Sequence, residues 1–281
     1  MEKILVTGAL GQLGSEIKLL SSHYPQFEWV FVDREEMPLD NLEGIEKALE
    51  IIKPTVIFSC AAYTAVDRAE SEPEVAKIVN ELSVAVIAKY AKANQVKMIH
   101  ISTDYVFDGN SSTPLKEEAP TSPINVYGET KLGGELACLQ FNPETIIIRT
   151  AWVYSKFGNN FVKTMQRLMQ EKDSISVVND QVGSPTYAAD LAKAMIDILV
   201  SGKWISGIYH FSNEGEINWY QFALAIKELG GYTCEVNGIP ASNYPTPAKR
   251  PNYSLLDKTK IKETYGVEVP FYKDSLKKYF N

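Results

Sequence analysis

The chain has 281 residues, 45% of them hydrophobic, with acidic and basic residues interspersed and a formal net charge of −7. This length and composition favour a folded, enzyme-sized protein, and no basic stripe exists that would hold a nucleic-acid backbone. Three widely spaced cysteines argue against a disulfide framework and a zinc cluster. No apolar segment reaches the ~18 residues of a membrane span. Met1–Lys3 leads directly into a strand-like run without a signal sequence, so we expect no membrane partner and a cytoplasmic location.

Strand-length apolar runs alternate with helical patterns from the first residues onward, which is typical of a parallel sheet covered by helices on both faces. The predicted strands are Lys3–Thr7, Glu28–Val32, Thr55–Ser59, Lys97–Ser102, Thr145–Arg149 and Ile175–Val178. The predicted helices lie near Gly11–Ser22, Leu42–Ile52, Glu72–Asn94, Val126–Gln140 and Asn159–Glu171. This order predicts an α/β fold with a doubly wound parallel sheet, and such sheets bind ligands at the carboxyl ends of their strands.

The pattern becomes mixed after about residue 180, where proline and glycine interrupt it at Gly183–Pro185 and Tyr244–Pro247. We therefore predict two regions. Residues 1–180 form the main domain, to which some later segments return. Residues 181–281 form a smaller, mixed C-terminal region that mainly binds substrate.

The first predicted strand runs into a glycine-rich turn with Gly8, Gly11 and Gly14, and an amphipathic helix follows. Such glycines let the backbone turn off the strand and approach a pyrophosphate, while the amides that open the helix face the anion. Spaced glycines alone are a weak signal. Their position between a buried strand and a helix predicts an NAD(P)-binding domain of the Rossmann type, with Gln12 and Leu13 among the cofactor contacts.

The second predicted strand ends at Asp33-Arg34, where a dinucleotide fold places the carboxylate that reaches the adenosine ribose. Asp33 favours NAD because its carboxylate accepts a hydrogen bond from the ribose 2′-hydroxyl. Arg34 favours NADP because a guanidinium holds the 2′-phosphate. The sequence leaves the choice between NAD(H) and NADP(H) open.

Tyr127 and Lys131 are four residues apart, so they share one face of the helix that follows the fourth predicted strand. That strand ends at Thr103. A nearby ammonium favours the phenolate, so we expect Lys131 to lower the pKa of Tyr127 from the reference value of ~10 toward the range of an acid catalyst. Tyrosine and lysine at this spacing also occur on solvated helix surfaces. The position of the pair after the end of the fourth strand favours a catalytic role instead.

Several longer stretches resemble one known family. They are Thr7–Gly14, Ala61–Asp67 with Ala69-Glu70, Ser102–Phe107, Asn125–Gly128, Trp152–Tyr154, Gly158–Phe161 and Asn179–Thr186. Together with the Tyr127/Lys131 pair they resemble the extended short-chain dehydrogenase/reductase family, and within it the dTDP-4-dehydrorhamnose reductases over essentially the whole chain. The resemblance implies NAD(P)H-dependent reduction of a 4-keto group on a nucleotide-linked sugar, giving dTDP-L-rhamnose.

The resemblance also implies roles for individual residues. It gives a catalytic set of Thr103, Tyr127 and Lys131. The implied cofactor contacts extend to Ala61, Ala62, Tyr63, Tyr127 and Lys131, and the implied substrate contacts are Thr103, Asp104, Tyr105 and Trp152. Arg250, which precedes Pro251 in a rigid loop, is a candidate for holding the substrate diphosphate, with an exposed basic pair as the alternative.

Some features leave the match incomplete. Ser59-Cys60 stands where the family often has an asparagine and an alanine, which leaves the fine cofactor contacts open. Some relatives bind magnesium through glutamates at a dimer interface. Glu16 matches one of these positions but the others have no equivalents, so Mg²⁺ and a homodimer stay open. The three histidines are far apart and lack the spacing of metal ligands.

Three rival functions share this core. A sugar-nucleotide dehydratase or epimerase has the same fold, but a dehydratase needs a second carboxylate after Asp104, and this chain has Tyr105 there. Within the reductases, another nucleotide-linked 4-keto deoxysugar is the alternative substrate. A non-catalytic regulatory subunit resembling the beta subunit of methionine adenosyltransferase keeps the fold without the chemistry, and the intact catalytic set argues against it.

Overall fold

The computed structural model describes residues 1–281 and contains twelve strands. They are β1 (Lys3–Thr7), β2 (Glu28–Val32), β3 (Val56–Ser59), β4 (Lys97–Thr103), β5 (Ile146–Thr150), β6 (Val153–Tyr154), β7 (Ser174–Val178), β8 (Val182–Gly183), β9 (Thr186–Tyr187), β10 (Gly207–His210), β11 (Ile217–Asn218) and β12 (Glu235–Ile239). Six of them form one parallel sheet in the order β2-β1-β3-β4-β5-β10. The predicted doubly wound α/β fold is confirmed.

Eleven α-helices accompany the strands. They are α1 (Gln12–Ser21), α2 (Leu42–Ile52), α3 (Val66–Ala69), α4 (Pro73–Lys77), α5 (Ser83–Ala93), α6 (Val126–Phe141), α7 (Phe161–Glu171), α8 (Ala188–Val200), α9 (Trp219–Gly230), α10 (Thr259–Tyr265) and α11 (Tyr272–Phe280). Asparagine side chains cap α2, α6, α7 and α9 by accepting a backbone N–H from the first turn, which fixes where these helices begin. No helix is both long and apolar enough to cross a membrane.

The main sheet is covered on both faces. On one face the buried side chains come from α1, α8 and α10, and on the other from α2, α5 and α6. All residues of β3 and β5 are buried, as expected for strands packed on both sides. The predicted single helix Glu72–Asn94 is interrupted, because Ile78–Leu82 forms a π-helical turn between α4 and α5. Such turns are frequent at functional sites.

The sixth strand of the main sheet differs from the prediction. The expected strand Ile175–Val178 belongs to β7, which pairs with β12 in a separate two-stranded sheet. Burial alternates along β7 at Ile175 and Val177, so this strand suits a sheet with one covered face and not the two-sided main sheet. The sixth position is taken by β10, which pairs parallel with β5 through contacts such as Tyr209 with Ile148.

A second hydrophobic core lies outside the main sheet. It is built from α7, α9, α11, β7 and β12, with Met165, Phe222 and Tyr279 among its buried residues. The boundary that we predict at residue 180 is therefore crossed in both directions. Helix α7 and strand β7 contribute to the second core, while α8, β10 and α10 return to the main one. The assignment of substrate binding to residues 181–281 remains a prediction.

Candidate active site

The carboxyl ends of the central strands open into one cleft of about 1020 Å³. All but one of the predicted site residues line it. They are Gly8, Gly11, Gln12, Leu13, Gly14, Asp33, Arg34, Ala61, Ala62, Tyr63, Thr103, Asp104, Tyr105, Tyr127, Lys131 and Trp152. Arg250 does not reach this cleft. Instead it lines a smaller neighbouring cavity of about 460 Å³.

Each glycine of the turn after β1 has a separate structural task. Gly8 has φ +73°, and a Cβ atom there would lie 2.9 Å from the Ala61 Cα. A Cβ on Gly14 would lie 2.2 Å from the Gly8 carbonyl oxygen, so only glycine lets α1 pack against the turn. Gly11, in an ordinary extended conformation, precedes α1 without a side-chain cap, and the first turn carries no acidic residue. The positive end of α1 is therefore open to an anion from the cleft.

Asp33 and Arg34 lie at the end of β2 and differ in how they are held. The Asp33 carboxylate accepts the backbone N–H of Leu10 at 2.7 Å and that of Arg34 at 2.9 Å, which ties the glycine-rich turn to β2. The Arg34 side chain is exposed and forms no ion pair with any residue of the chain. Its guanidinium remains available for a negatively charged ligand.

The loop after β3 is fixed from two sides. The Thr7 hydroxyl accepts the backbone N–H groups of Cys60 and Ala61, each at 3.0 Å. From the π-helical turn, the buried Asn80 side chain accepts the Tyr63 N–H at 2.8 Å and donates to the Tyr63 carbonyl oxygen at 3.1 Å. Asn80 also donates to the Thr130 hydroxyl at 3.1 Å, so one amide joins this loop to the start of α6.

Thr103 and Asp104 follow directly from β4. The Thr103 hydroxyl donates to the Asp104 carboxylate at 3.0 Å and accepts the Tyr105 N–H at 3.2 Å. Burial raises the pKa of Asp104 to about 6, against the effect of its hydrogen bonds with Ser254 and Thr103. The Thr103 hydroxyl at the cleft is thus hydrogen-bonded to the buried carboxyl group of Asp104.

Tyr127 and Lys131 project from the first two turns of α6. Burial raises the pKa of Tyr127 to about 12, and a hydrogen bond with the Thr103 side chain has a smaller, opposing effect. Burial lowers the pKa of Lys131 to about 8, and its ammonium donates to the Ile101 carbonyl oxygen at 2.7 Å. The prediction that Lys131 lowers the pKa of Tyr127 is wrong, because burial of the phenol raises this pKa and Lys131 is not among the groups that oppose the rise. At neutral pH the phenol keeps its proton.

A buried ion pair supports the residues around Lys131. Glu135, one helical turn beyond Lys131, forms a two-pronged salt bridge with Arg149 of β5 at 2.8 and 2.7 Å. The Ser102 hydroxyl donates to the same carboxylate at 2.5 Å, which joins α6 to the end of β4. The negative charge of Glu135 also favours the charged form of Lys131, in opposition to burial. Removing either ion-pair partner would leave a buried charge unpaired.

Aromatic side chains form a further wall of the cleft. The Tyr105 ring packs edge-to-face on that of Tyr127, with centroids 5.5 Å apart. Trp152, in the loop between β5 and β6, stacks on Trp219 of α9 with ring centroids 3.7 Å apart. The Arg250 guanidinium lies beside this wall, where it pairs with the Asp67 carboxylate at 2.8 and 3.1 Å and also interacts with the Tyr105 phenol. In this structure, therefore, the guanidinium of Arg250 already has an anionic partner.

The chain is similar to known proteins over its whole length. A family model described as the RmlD substrate binding domain matches residues 1–281. The dTDP-4-dehydrorhamnose reductase of Aggregatibacter actinomycetemcomitans is 40% identical over 99% of this chain and 98% of its own length. The chain belongs to the dTDP-4-dehydrorhamnose reductase family. The resemblance that its motifs indicate is therefore confirmed.

Solved structures of this family show the same fold. The dTDP-4-dehydrorhamnose reductase from Clostridium acetobutylicum superposes with a TM-score of 0.94 at 39% identity, and covers 99% of this chain and 98% of its own. That from Bacillus anthracis, solved in complex with NADP, also has a TM-score of 0.94, at 35% identity over 99% and 98% of the two chains. Similarity thus extends over both the main sheet and the second core.

The magnesium site of some dTDP-4-dehydrorhamnose reductases finds little support here. Glu16 is buried, and its carboxylate accepts the Ser155 hydroxyl at 2.6 Å. Burial also raises the pKa of Glu16, which disfavours the charged form that a cation needs. No group of three or more histidine, cysteine, aspartate or glutamate side chains comes together anywhere in the chain. The residues present do not fit a magnesium site within one chain.

Four residues that shape this site are not predicted from the sequence: Asn80, Glu135, Arg149 and Trp219. A charge inside the apolar run Ile146–Thr150 is a signal that could have pointed to Arg149, because a charge in a buried strand requires a partner. The other three carry no comparable local signal. Their contacts depend on how distant elements pack.

Proposed function

We propose that this chain reduces the 4-keto group of dTDP-4-dehydro-L-rhamnose with NADPH or NADH, giving dTDP-L-rhamnose. One observation carries the proposal: a single cleft joins the open N-terminus of α1 to Thr103, Tyr127 and Lys131, in a chain that matches this family over its whole length. Cytoplasmic residence is part of the proposal, since nucleotide-linked sugars and reduced nicotinamide nucleotides are cytoplasmic metabolites. A homodimer remains a prediction from the resemblance.

The glycine-rich turn and the end of β2 fit a dinucleotide. The uncapped N-terminus of α1 suits a pyrophosphate, and the missing Cβ of Gly11 leaves space for its approach. The B. anthracis relative was solved with NADP, and the unpaired Arg34 guanidinium offers a partner for a 2′-phosphate. We therefore propose NADPH as the better of the two cofactors.

Replacing Arg34 by Ala tests this preference. We expect the Kd of NADPH to rise about tenfold and that of NADH to change little, because the variant loses one charge-assisted contact to the phosphate. Titrations of both cofactors by fluorescence measure the two constants. Exposed Arg167, whose only ionic partner is Glu171, provides a matched control as Arg167→Ala. Equal weakening of both cofactors would show that Arg34 does not touch the 2′-phosphate.

In the mechanism that we propose, the bound nicotinamide supplies a hydride to the carbonyl carbon. Tyr127 donates its phenolic proton to the carbonyl oxygen as negative charge develops there. The raised pKa of Tyr127 keeps that proton in place at neutral pH. Lys131, whose ammonium donates to the Ile101 carbonyl oxygen, would supply a positive charge in the same cleft and would contact the bound cofactor. Thr103 supplies the second hydrogen bond once its hydroxyl, now directed at Asp104, rotates toward the substrate.

The residue after Asp104 favours reduction over dehydration. A dehydratase requires a carboxylate here to remove a carbon-bound proton. Tyr105 instead places an aromatic ring against Tyr127, and its own pKa is raised by burial, so it is no base at neutral pH. The position therefore serves to pack and orient, which supports a reductase.

The pKa of Lys131 predicts the pH dependence of the reaction. The ammonium is the charged form below about pH 8, and it is lost as the pH rises through that value. We expect kcat/KM to fall by up to tenfold per pH unit above about 8, because the neutral amine no longer stabilises developing phenolate. A pH–rate profile measures this. A rate that stays flat well above pH 8 would show that the charge on Lys131 is not required.

A substrate panel tests the proposed activity directly. Nucleotide-linked 4-keto sugars are incubated with the enzyme and either NADPH or NADH, and the absorbance of the reduced nicotinamide is followed. We expect consumption with dTDP-4-dehydro-L-rhamnose, and faster consumption with NADPH. Preference for a different 4-keto deoxysugar would assign the chain to that substrate instead.

A further inference from the structure

Trp152 has a backbone conformation that its neighbours must enforce. Three residues other than glycine have a positive φ: Lys53, Gln95 and Trp152. Lys53 and Gln95 lie at the C-terminal ends of α2 and α5, where such conformations are ordinary. Trp152, with φ +49°, lies in the cleft wall and ends no helix. A bulky residue persists in this region only where surrounding structure holds it, and such positions cluster at ligand sites.

Two contacts hold the indole of Trp152 from the side of the second core. The Trp219 ring lies parallel to it, with centroids 3.7 Å apart and planes 16° from each other. Gly183 lies so close that an added Cβ would be 3.0 Å from the Trp152 Cζ2. The antiparallel pairing of β11 with β8 sets Ile217 opposite Gly183. One small sheet therefore positions both Gly183 and Trp219 against the same indole.

Trp219 is itself firmly anchored and does not line the cleft. It begins α9, directly after Asn218, whose side chain closes a reciprocal capping pair with Gln221. The Phe161 ring packs against Trp219 with centroids 4.6 Å apart, and both rings lie against the second core. Trp152 lines the cleft and Trp219 does not, so the stacked indole of Trp152 is the contact through which we expect Trp219 to affect a ligand.

We propose that Trp219 is a positioning residue for the nucleotide-linked sugar. Together with Gly183, which also contacts the indole of Trp152, Trp219 holds that indole as a preformed wall on the substrate side of the cleft. The inference rests on the proposed reductase function. A wall that is ordered before binding lowers the entropy cost of association. Without the stacking of Trp219 on Trp152, the Trp152 backbone relaxes from its strained conformation. Each binding substrate molecule must then order the indole again. We expect the effect on the sugar nucleotide and not on the dinucleotide, whose pyrophosphate we assign to the N-terminus of α1.

The test uses Trp219→Ala and Trp219→Phe in the full chain. We expect Trp219→Ala to raise the KM of the nucleotide-linked 4-keto sugar about tenfold, with kcat within about threefold and the Kd of NADPH unchanged. Trp219→Phe should recover most of the loss because a ring still stacks on Trp152. In Trp152→Ala protein, adding Trp219→Ala should raise KM no further, since Trp219 acts through the missing indole.

A spectroscopic signal separates this role from general stability. The chain contains one contacting pair of indoles, Trp152 and Trp219, so stacking predicts an exciton couplet in the far-ultraviolet circular dichroism. Trp219→Phe and Trp152→Ala should each remove the couplet, whereas Trp204→Phe, which removes an indole from the main core, should keep it. Unchanged KM in a folded Trp219→Ala protein, or additive effects in the double variant, would overturn the proposal. Failure of wild-type protein to reduce any 4-keto sugar nucleotide would instead overturn the proposed function.

Discussion

Replacing Tyr127 by Phe is expected to lower kcat by roughly 10²–10⁴-fold, the usual contribution of a positioned proton donor. The substitution removes one hydroxyl group and little volume, so the ring still packs against Tyr105 and α6 keeps its place. Cofactor binding should stay within about threefold of wild type, because the ring remains in the wall. Single-turnover rates with NADPH and the 4-keto sugar, together with NADPH titrations, measure both effects.

Tyr105→Phe provides the matched control for that variant. It removes a phenol from the neighbouring ring, whose raised pKa leaves it no role in proton transfer at neutral pH. We expect Tyr105→Phe to retain far more activity than Tyr127→Phe. Turnover of Tyr127→Phe within tenfold of wild type would remove Tyr127 from the mechanism.

Replacing Gly11 by Val should weaken dinucleotide binding by roughly 10- to 100-fold while the protein stays folded. Gly11 has an ordinary extended conformation, and an added Cβ meets only the Gly8 carbonyl oxygen, at 3.2 Å. The Cβ requires the Gly8 carbonyl to shift by only a few tenths of an ångström, whereas the side chain occupies space at the uncapped end of α1 that a pyrophosphate needs. Titration with NADPH and thermal unfolding measure the two properties separately.

Gly14→Ala shows the contrasting outcome within the same turn. Its Cβ would lie 2.2 Å from the Gly8 carbonyl oxygen, so α1 must move away from the turn and the protein should lose stability. Gly11→Val should not show this loss. Undiminished NADPH binding by folded Gly11→Val would place the cofactor away from this turn.

The sequence predicts the main sheet because its strands are continuous apolar runs between helical patterns. Strands β1 and β2 and helix α2 begin and end at the predicted residues. The site is also largely predictable, because the carboxyl ends of parallel strands share one edge of the sheet and bring Gly8, Thr103 and Tyr127 to one cleft. The main sheet is thus predictable from local sequence patterns, and the position of the site from the rule that ligands bind at the carboxyl ends of parallel strands.

What the sequence does not predict depends on contacts between distant segments. Strand β7 has the right length for the main sheet, but its alternating burial suits a separate pair with β12. The pKa of Tyr127 depends on how deeply α6 buries the phenol, which spacing along a helix cannot show. Arg250 finds its partner in Asp67, far away in sequence, so its basic character alone does not reveal whether it is free.

Reconstitution with the preceding enzyme activities tests the central claim most directly. A 4,6-dehydratase and a 3,5-epimerase together convert a dTDP-linked glucose to dTDP-4-dehydro-L-rhamnose, and the oxidation of NADPH by this chain is followed as absorbance loss. We expect oxidation only when both enzymes are present, with dTDP-L-rhamnose as product, and almost no oxidation with the Tyr127→Phe variant. Equally fast oxidation of NADPH with the dehydratase alone would contradict it, because the 4-keto intermediate before epimerisation would then be the substrate.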